Sequence, residues 1–357
     1  MLKPWPIDKI PKDSGLESVA VLRALVKARS ALAELKGIAR TIPDQAILIN
    51  TLGIQEAKDS SAIENIITSL DELFKGELNL SQTSTSEAKE VQNYVEALKK
   101  GFALVSKKQL LTNREIISIQ EVLEKNRAGF RRTPGTSLLN ARTNEVVYTP
   151  PQSYDEIASL MNELEKLIND PGFRNYDPLV KMAIIHFQFE TIHPFYDGNG
   201  RTGRIINILY LIISGLLDFP TLYLSSYIIR NKSDYYRLFQ EVRMKGNWEE
   251  WLLYMINAVN ITARDTILLI ESLQLQIKDM KQKLRTGYKF YSHELLMNLF
   301  KHPYTKIEFL ERDLGVSRKT AALYLNTLAK DGILRKERMG KHTYFVNEDL
   351  YHLFLMR

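Results

Sequence analysis

The chain has 357 residues, 45% of them hydrophobic and 25% charged, a composition that fits an ordinary globular protein of about two domains. It has no cysteine, which excludes disulfides, thiolate-ligated metals and thiol nucleophiles. The formal charge of +6 is unevenly placed: residues 281–357 hold 15 Lys/Arg against 8 Asp/Glu, and the first 280 residues are near neutral.

The N-terminus carries no apolar core of a signal peptide. The longest apolar stretch, Ile205 to Leu217, is broken by Asn207, Ser214 and Gly215 and is too short to cross a bilayer. The expectation is a soluble cytoplasmic protein with no membrane partner. Helical stripes recur over 17–40, 54–75, 111–127, 153–169, 177–190, 201–217, 233–244 and 248–284. Val91, Tyr94, Val95, Leu98 and Phe102 give one more at i, i+3, i+4, i+7 spacing. Thr41-Ile-Pro, Ser81-Gln-Thr-Ser-Thr-Ser, Asp170-Pro-Gly and Asp218-Phe-Pro separate them. Residues 129–151 mix turn formers with β-branched and aromatic residues and predict a short hairpin or extended flap. The expected fold class is mainly α. Its parts are an N-terminal helical region (1–100), a central helical core (101–285) and a smaller domain (286–357).

Thr191-Ile-His193-Pro-Phe-Tyr-Asp197-Gly198-Asn199-Gly200-Arg201-Thr202-Gly203-Arg204 lies between two of these helices. A Gly-Asn-Gly loop that opens a helix presents unpaired N–H groups at the positive end of the helix dipole, an anion site suited to phosphate. Arg201 and Arg204, three apart, share a helical face and can reach one anion. Asp197 supplies a hard oxygen donor, as a phosphate-bound Mg²⁺ requires. His193 titrates near neutrality and can serve as a general base. No Walker loop and no His-Glu-x-x-His is present.

The stretch His193 to Arg204 resembles the Fic-domain signature, His-x-Phe-x-Asp/Glu-Gly-Asn-Gly-Arg-x-x-Arg, at every defined position. The resemblance implies a Fic-type helical bundle that transfers AMP from ATP to a Ser, Thr or Tyr hydroxyl of a protein and releases pyrophosphate. His193 would take the hydroxyl proton, and Asp197 would hold Mg²⁺, with Mn²⁺ as a substitute. Gly198 to Gly200 with the Asn199 side chain would stabilise the α-phosphate. Arg201 and Arg204 would bind the outer phosphates, with Thr202 and Gly203 completing the nucleotide set. Ser60-Ser-Ala-Ile-Glu64-Asn65, read on the helix 54–75, resembles the family's inhibitory motif. It implies autoinhibition by a Glu64–Arg204 pair, with removal of AMP as a secondary activity. Thr143 to Pro151 resembles the flap that docks the target as an added strand, with Val146, Val147 and Tyr148 as contacts. Tyr235 and Tyr236 resemble the pair lining the adenine side, with Arg243 beyond them. His186, on an apolar stripe, reads as a packed core histidine.

Residues 288–357 read as three helices and a hairpin. The helices run from Ser292 to Phe300, from a Thr305 cap to Asp313, and from a Ser317 cap to Lys330; strands follow over 333–338 and 343–346. This resembles a winged helix-turn-helix. In that reading Arg318, Lys319 and Thr320 face the major groove of DNA, and Arg335, Lys336, Arg338 and Lys341 reach phosphates. Such domains also serve protein partners, and a homo-oligomer is compatible with the chain. Two rival functions stand beside AMP transfer. One is transfer of another phosphate-containing group at the same site; the other is a DNA-binding transcription regulator that senses ATP.

Overall fold

The computed structural model describes residues 14–77, 85–139, 143–339 and 342–355. Helices α1 (Val19–Ala39), α2 (Gln45–Ile63), α3 (Leu70–Glu77), α4 (Ser86–Lys108) and α5 (Asn113–Glu124) form the first third. Ser18, Asp44 and Thr85 cap α1, α2 and α4 by accepting first-turn N–H groups. Strands β1 (Leu138–Leu139) and β2 (Val146–Tyr148) pair antiparallel, with Leu138 opposite Tyr148. Next come α6 (Tyr154–Asn169), α7 (Pro178–Ile192), α8 (Asn199–Ile213), α9 (Ser225–Arg230), α10 (Lys232–Lys245) and the 40-residue α11 (Trp248–Gly287).

The core centres on α7. Asp177 caps its first turn and Pro178 sits where a missing N–H costs nothing. From Leu179 to Ile192 every residue except Glu190 is buried, as expected of a helix that is apolar on all sides. Trp251 on α11 donates to the Ala183 carbonyl at 2.9 Å, and Phe187 packs edge-on to Trp248. Helix α8 lies beside α7, α4 beside α2 and α8, and α1 along α11.

Beyond α11 follow α12 (His293–Lys301), β3 (Tyr304–Thr305), α13 (Ile307–Leu314), α14 (Arg318–Lys330), β4 (Arg335–Met339), β5 (His342–Val346) and α15 (Glu348–Leu355). The sheet order is β3-β5-β4, antiparallel throughout. Three readings change. The helix expected over 54–75 starts nine residues earlier and stops at Ile63, with α3 as a separate element. Thr305 is not a helix cap: it belongs to β3, its hydroxyl donates to Asn298 Oδ1 at 2.8 Å, and α13 starts at Ile307. The short α9 and the terminal α15 were not anticipated.

Candidate functional site

The loop joining α7 to α8 is built by its ends. His193 closes α7 with φ 50°, and its N–H bonds to the Phe189 carbonyl at 2.9 Å. This left-handed conformation is uncommon for histidine and ends the helix at the residue whose ring is needed. Gly198 has φ 76° and starts α8, and any Cβ there would also crowd Glu124. Between them the Asn199 side chain accepts from Phe195 N–H at 2.9 Å and donates to the Phe195 carbonyl at 2.8 Å. Buried Arg131 ties the loop to the flap base. Its main-chain N–H donates to the Pro194 carbonyl and its Nε to the His193 carbonyl, each at 2.8 Å, and its Nη2 donates to the Pro151 carbonyl.

His193, Gly200 and Arg204 open on one cavity of about 760 Å³, walled on the far side by β1, Val147 and α10. Burial, reinforced by the Arg131 charge, pushes the His193 imidazole down to about 4. Its ring is therefore neutral at physiological pH and able to accept a proton. The N–H groups of Asn199, Gly200 and Arg201 form the first turn of α8, where a helix supplies no internal acceptor.

Against that turn lies Glu64. The residue caps α2, and Asn65 follows with φ 64°. Arg204, 1% exposed, donates from Nη2 to Glu64 Oε1 at 2.8 Å and to the Ser60 carbonyl at 2.9 Å, and from Nε to the Ser60 hydroxyl at 2.7 Å. A side chain at Gly200 would collide with the Glu64 carboxylate, so the acid and the helix turn meet only because residue 200 is glycine. Burial alone would raise the Glu64 carboxyl, but the Arg204 charge and hydrogen bond hold it below the usual range. Arg204 is raised in turn, its burial outweighed by Glu64.

The other expected residues divide. Tyr235 and Tyr236 line the cavity edge-to-face at 5.3 Å. Tyr235 is also hydrogen-bonded at 2.8 Å to His186, which is fully buried and pushed down to about 3 by that burial: a packed core histidine. Arg243 lines the cavity with its guanidinium 3.9 Å from the Tyr148 ring centroid, and burial lowers it to about 10. Asn65 lines it too and accepts from Lys232 at 3.3 Å. Asp197 is 79% exposed at its side chain, and one oxygen accepts the Gly198 N–H at 2.6 Å.

Four expectations are corrected. The Arg201 side chain is buried between Glu124 (3.0 Å) and Glu90 (3.1 Å) and does not line the cavity. Thr202 and Gly203 face the interior of the bundle, Gly203 against Phe189 and Glu190. The Asn199 side chain is consumed in bracing the loop, leaving only main chain for an anion. Tyr148 turns inward and donates to the Thr191 carbonyl at 3.0 Å, so Val146 and Val147 alone are exposed on β2.

Arg131 and Glu190 were missed. Arg131 gave no signal, since its partners are carbonyls distant in sequence. Glu190 did: it is the only acid in a mostly apolar helix, one turn before His193. Its carboxyl lines the cavity and is pushed by burial up to about 7. In the C-terminal domain Arg318, Lys319 and Arg338 are exposed. Thr320 is held by the Ser317 cap, Lys336 donates to Asn326 Oδ1 at 2.6 Å, and Arg335 pairs with Glu337 and Glu348. Lys341 lies outside the described residues. Among the described residues no helix is long and apolar enough to cross a membrane.

The sequence matches three family descriptions in succession: Fic/DOC family N-terminal over residues 22–103, Fic/DOC family over 110–211, and Protein adenylyltransferase SoFic-like, C-terminal domain, over 273–350. Protein adenylyltransferase fic-1 of Caenorhabditis elegans is 30% identical over 122 residues, 34% of this chain and 23% of that protein. A probable protein adenylyltransferase of Aquifex aeolicus is 31% identical over 169 residues, 46% of this chain and 49% of its own. The chain thus spans about half or less of the length of these curated relatives. A solved Fic family protein from Desulfovibrio desulfuricans superposes with TM-score 0.61 at 19% identity, covering 97% of this chain and 98% of that one. A fragment of C. elegans Fic-1 gives TM-score 0.56 at 20% identity over 72% and 75%. These two likenesses speak to fold. The family match over 110–211 contains the whole loop from His193 to Arg204, and with the matches on either side the chain carries a Fic domain between a Fic/DOC N-terminal domain and a SoFic-like C-terminal domain.

Proposed function

We propose that the chain is a protein adenylyltransferase that holds itself inactive: it transfers AMP from ATP to a Ser, Thr or Tyr hydroxyl of a protein, its own surface included. The observation that carries this reading is the Glu64–Arg204 pair, set against the first turn of α8 within the cavity that His193 opens on. The names of the relatives support the same chemistry.

In the reaction the hydroxyl oxygen attacks the α-phosphorus, a new P–O bond forms, and the bond to the bridging oxygen of pyrophosphate breaks. Neutral His193 takes the hydroxyl proton. The first-turn N–H groups of α8 receive charge on the α-phosphate, and Arg204, freed of Glu64, binds an outer phosphate. Asp197 fits a divalent cation: it is an exposed hard carboxylate beside the anion turn, and substrate phosphates complete such donor sets. Bound there, Mg²⁺ or Mn²⁺ would neutralise phosphate charge. Val146 and Val147 on β2 offer the target an exposed surface beside the cavity for strand addition.

Glu64→Gly should raise incorporation of label from α-labelled ATP into protein, with an intact-mass gain equal to AMP. His193→Ala in that background should lower it about 100-fold or more. Equal labelling by wild type and Glu64→Gly would remove autoinhibition, and a different adduct mass would replace AMP by another transferred group.

A further inference from the structure

Glu190 has no structural role that accounts for it. It is the one residue of α7 between Leu179 and Ile192 that is not fully buried, and it borders the cavity. Its Oε1 is buried with no hydrogen-bond partner among the described residues, and it forms no ion pair there with Arg204 or Arg243. Gly203 makes room for it, since a side chain at that position would collide with the Glu190 carboxyl. The Oε1 atom is closed off beside Gly203, so a ligand in the cavity can meet only the other carboxyl oxygen, which also has no partner among the described residues; a carboxyl left so at a cavity wall is costly unless a donor reaches it.

The ligand's parts limit the choice. Phosphate oxygens are acceptors and anionic, they repel Glu190 once it is ionised above about pH 7, and Arg204 and the α8 turn already serve them. Glu190 stands three residues before His193, about 5 Å along the helix. His193 addresses the hydroxyl that attacks the α-phosphorus, and the group bonded to that phosphorus on its nucleoside side is the ribose. From these positions we infer that Glu190 accepts a hydrogen bond from a ribose hydroxyl, 2′ or 3′, and makes the site selective for ribonucleotides. This rests on the nucleotidyl-transfer reading above and adds the sugar specificity that reading leaves open.

The test is calorimetric binding of ATP, 2′-deoxy-ATP and 3′-deoxy-ATP to the Glu64→Gly protein, repeated with Glu190→Ala and Glu190→Gln added. With Glu190 present, one deoxy analogue should bind about 10- to 100-fold more weakly than ATP. With Glu190→Ala, ATP should fall to the level of that analogue, whose own affinity should not change. Glu190→Gln, which keeps an acceptor oxygen, should restore part of the discrimination. Equal binding of all three nucleotides by the Glu64→Gly protein, which needs no substitution at 190, overturns the inference alone. So does discrimination that survives Glu190→Ala. Failure of the Glu64→Gly protein to bind ATP at all overturns the nucleotidyl reading together with it.

Discussion

Glu56 lies two turns before Glu64 on α2 but points into the core. It is 1% exposed and accepts from Tyr94 OH and Ser225 N–H at 3.1 Å and from the Ser225 hydroxyl at 2.5 Å. Burial raises its carboxyl from 4.5 to about 7. The folded chain therefore keeps a proton that the unfolded chain has shed, and the stability this gives is complete below pH 4.5 and lost as pH rises to 7. Glu56→Gln should flatten that slope, by up to about 3 kcal/mol between pH 5 and 8 in denaturant titrations. An unchanged slope would show that Glu56 is already charged in the folded state. The His193 imidazole is displaced the other way, down to about 4, so its basic form survives acidification. In the Glu64→Gly protein the acid limb of kcat/KM should fall well below the ordinary histidine value of about 6.5. A limb at 6.5 or above would mean that the free-enzyme ring is not held neutral by its surroundings.

At the scale of elements, α3 is the joint between the inhibitory segment and the C-terminal domain. Phe74 packs edge-on to His302 at 5.2 Å and against Phe354 at 6.2 Å. Asp71 accepts from Tyr304 OH at 2.5 Å and Tyr351 OH at 3.0 Å while pairing with Lys75. Phe74→Ala should cost about 3–5 kcal/mol of unfolding free energy. A loss below about 1 kcal/mol would mean that the contact is not maintained in solution. This joint was invisible in the sequence for a definite reason. In the sequence Ile63, Ile66 and Ile67 continue the apolar stripe of α2 toward α3, but the helix ends at its Glu64 cap, Asn65 turns left-handed, and residues 66–69 are not helical. Long helices with a full stripe, such as α4, α7 and α11, were legible because packing and periodicity agree. The two-residue β3 is too short to alternate. The signature loop was legible as a set of residue types but not as a set of directions. Arg201 turns away because Glu90 and Glu124, distant in sequence, meet it first, and Tyr148 turns inward to a carbonyl on α7.

For the whole molecule the excess positive charge belongs to the C-terminal domain, where Arg318, Lys319 and Arg338 lie exposed near the start of α14 and on β4. If that face meets DNA phosphates, duplex binding by the full chain should weaken steeply with salt. Lys319→Ala and Arg338→Ala should then each lower the log–log slope by about 1. Absence of duplex binding at low salt would remove DNA as the partner of that face. Either partner meets the same constraint, which comes from α11. Its 40 residues run unbroken for about 60 Å, beside α1, α7 and α10 at one end and α12 and α15 at the other. Gln276 in its later turns donates to the Asp349 carbonyl at 3.0 Å, so α15 is fastened back onto the shaft. A molecule seated on the C-terminal domain is thus not a passenger on a leash, sampling a sphere of positions around His193. It arrives on one bearing and at one range, and tight docking cannot rescue a hydroxyl that faces the wrong way. Each residue inserted into the shaft would swing that bearing by about 100°, at the cost of the Phe74 and Asp71 contacts that also hold the C-terminal domain. Activity toward a docked target should therefore vary with insertion length in step with the helical turn rather than fade smoothly with distance.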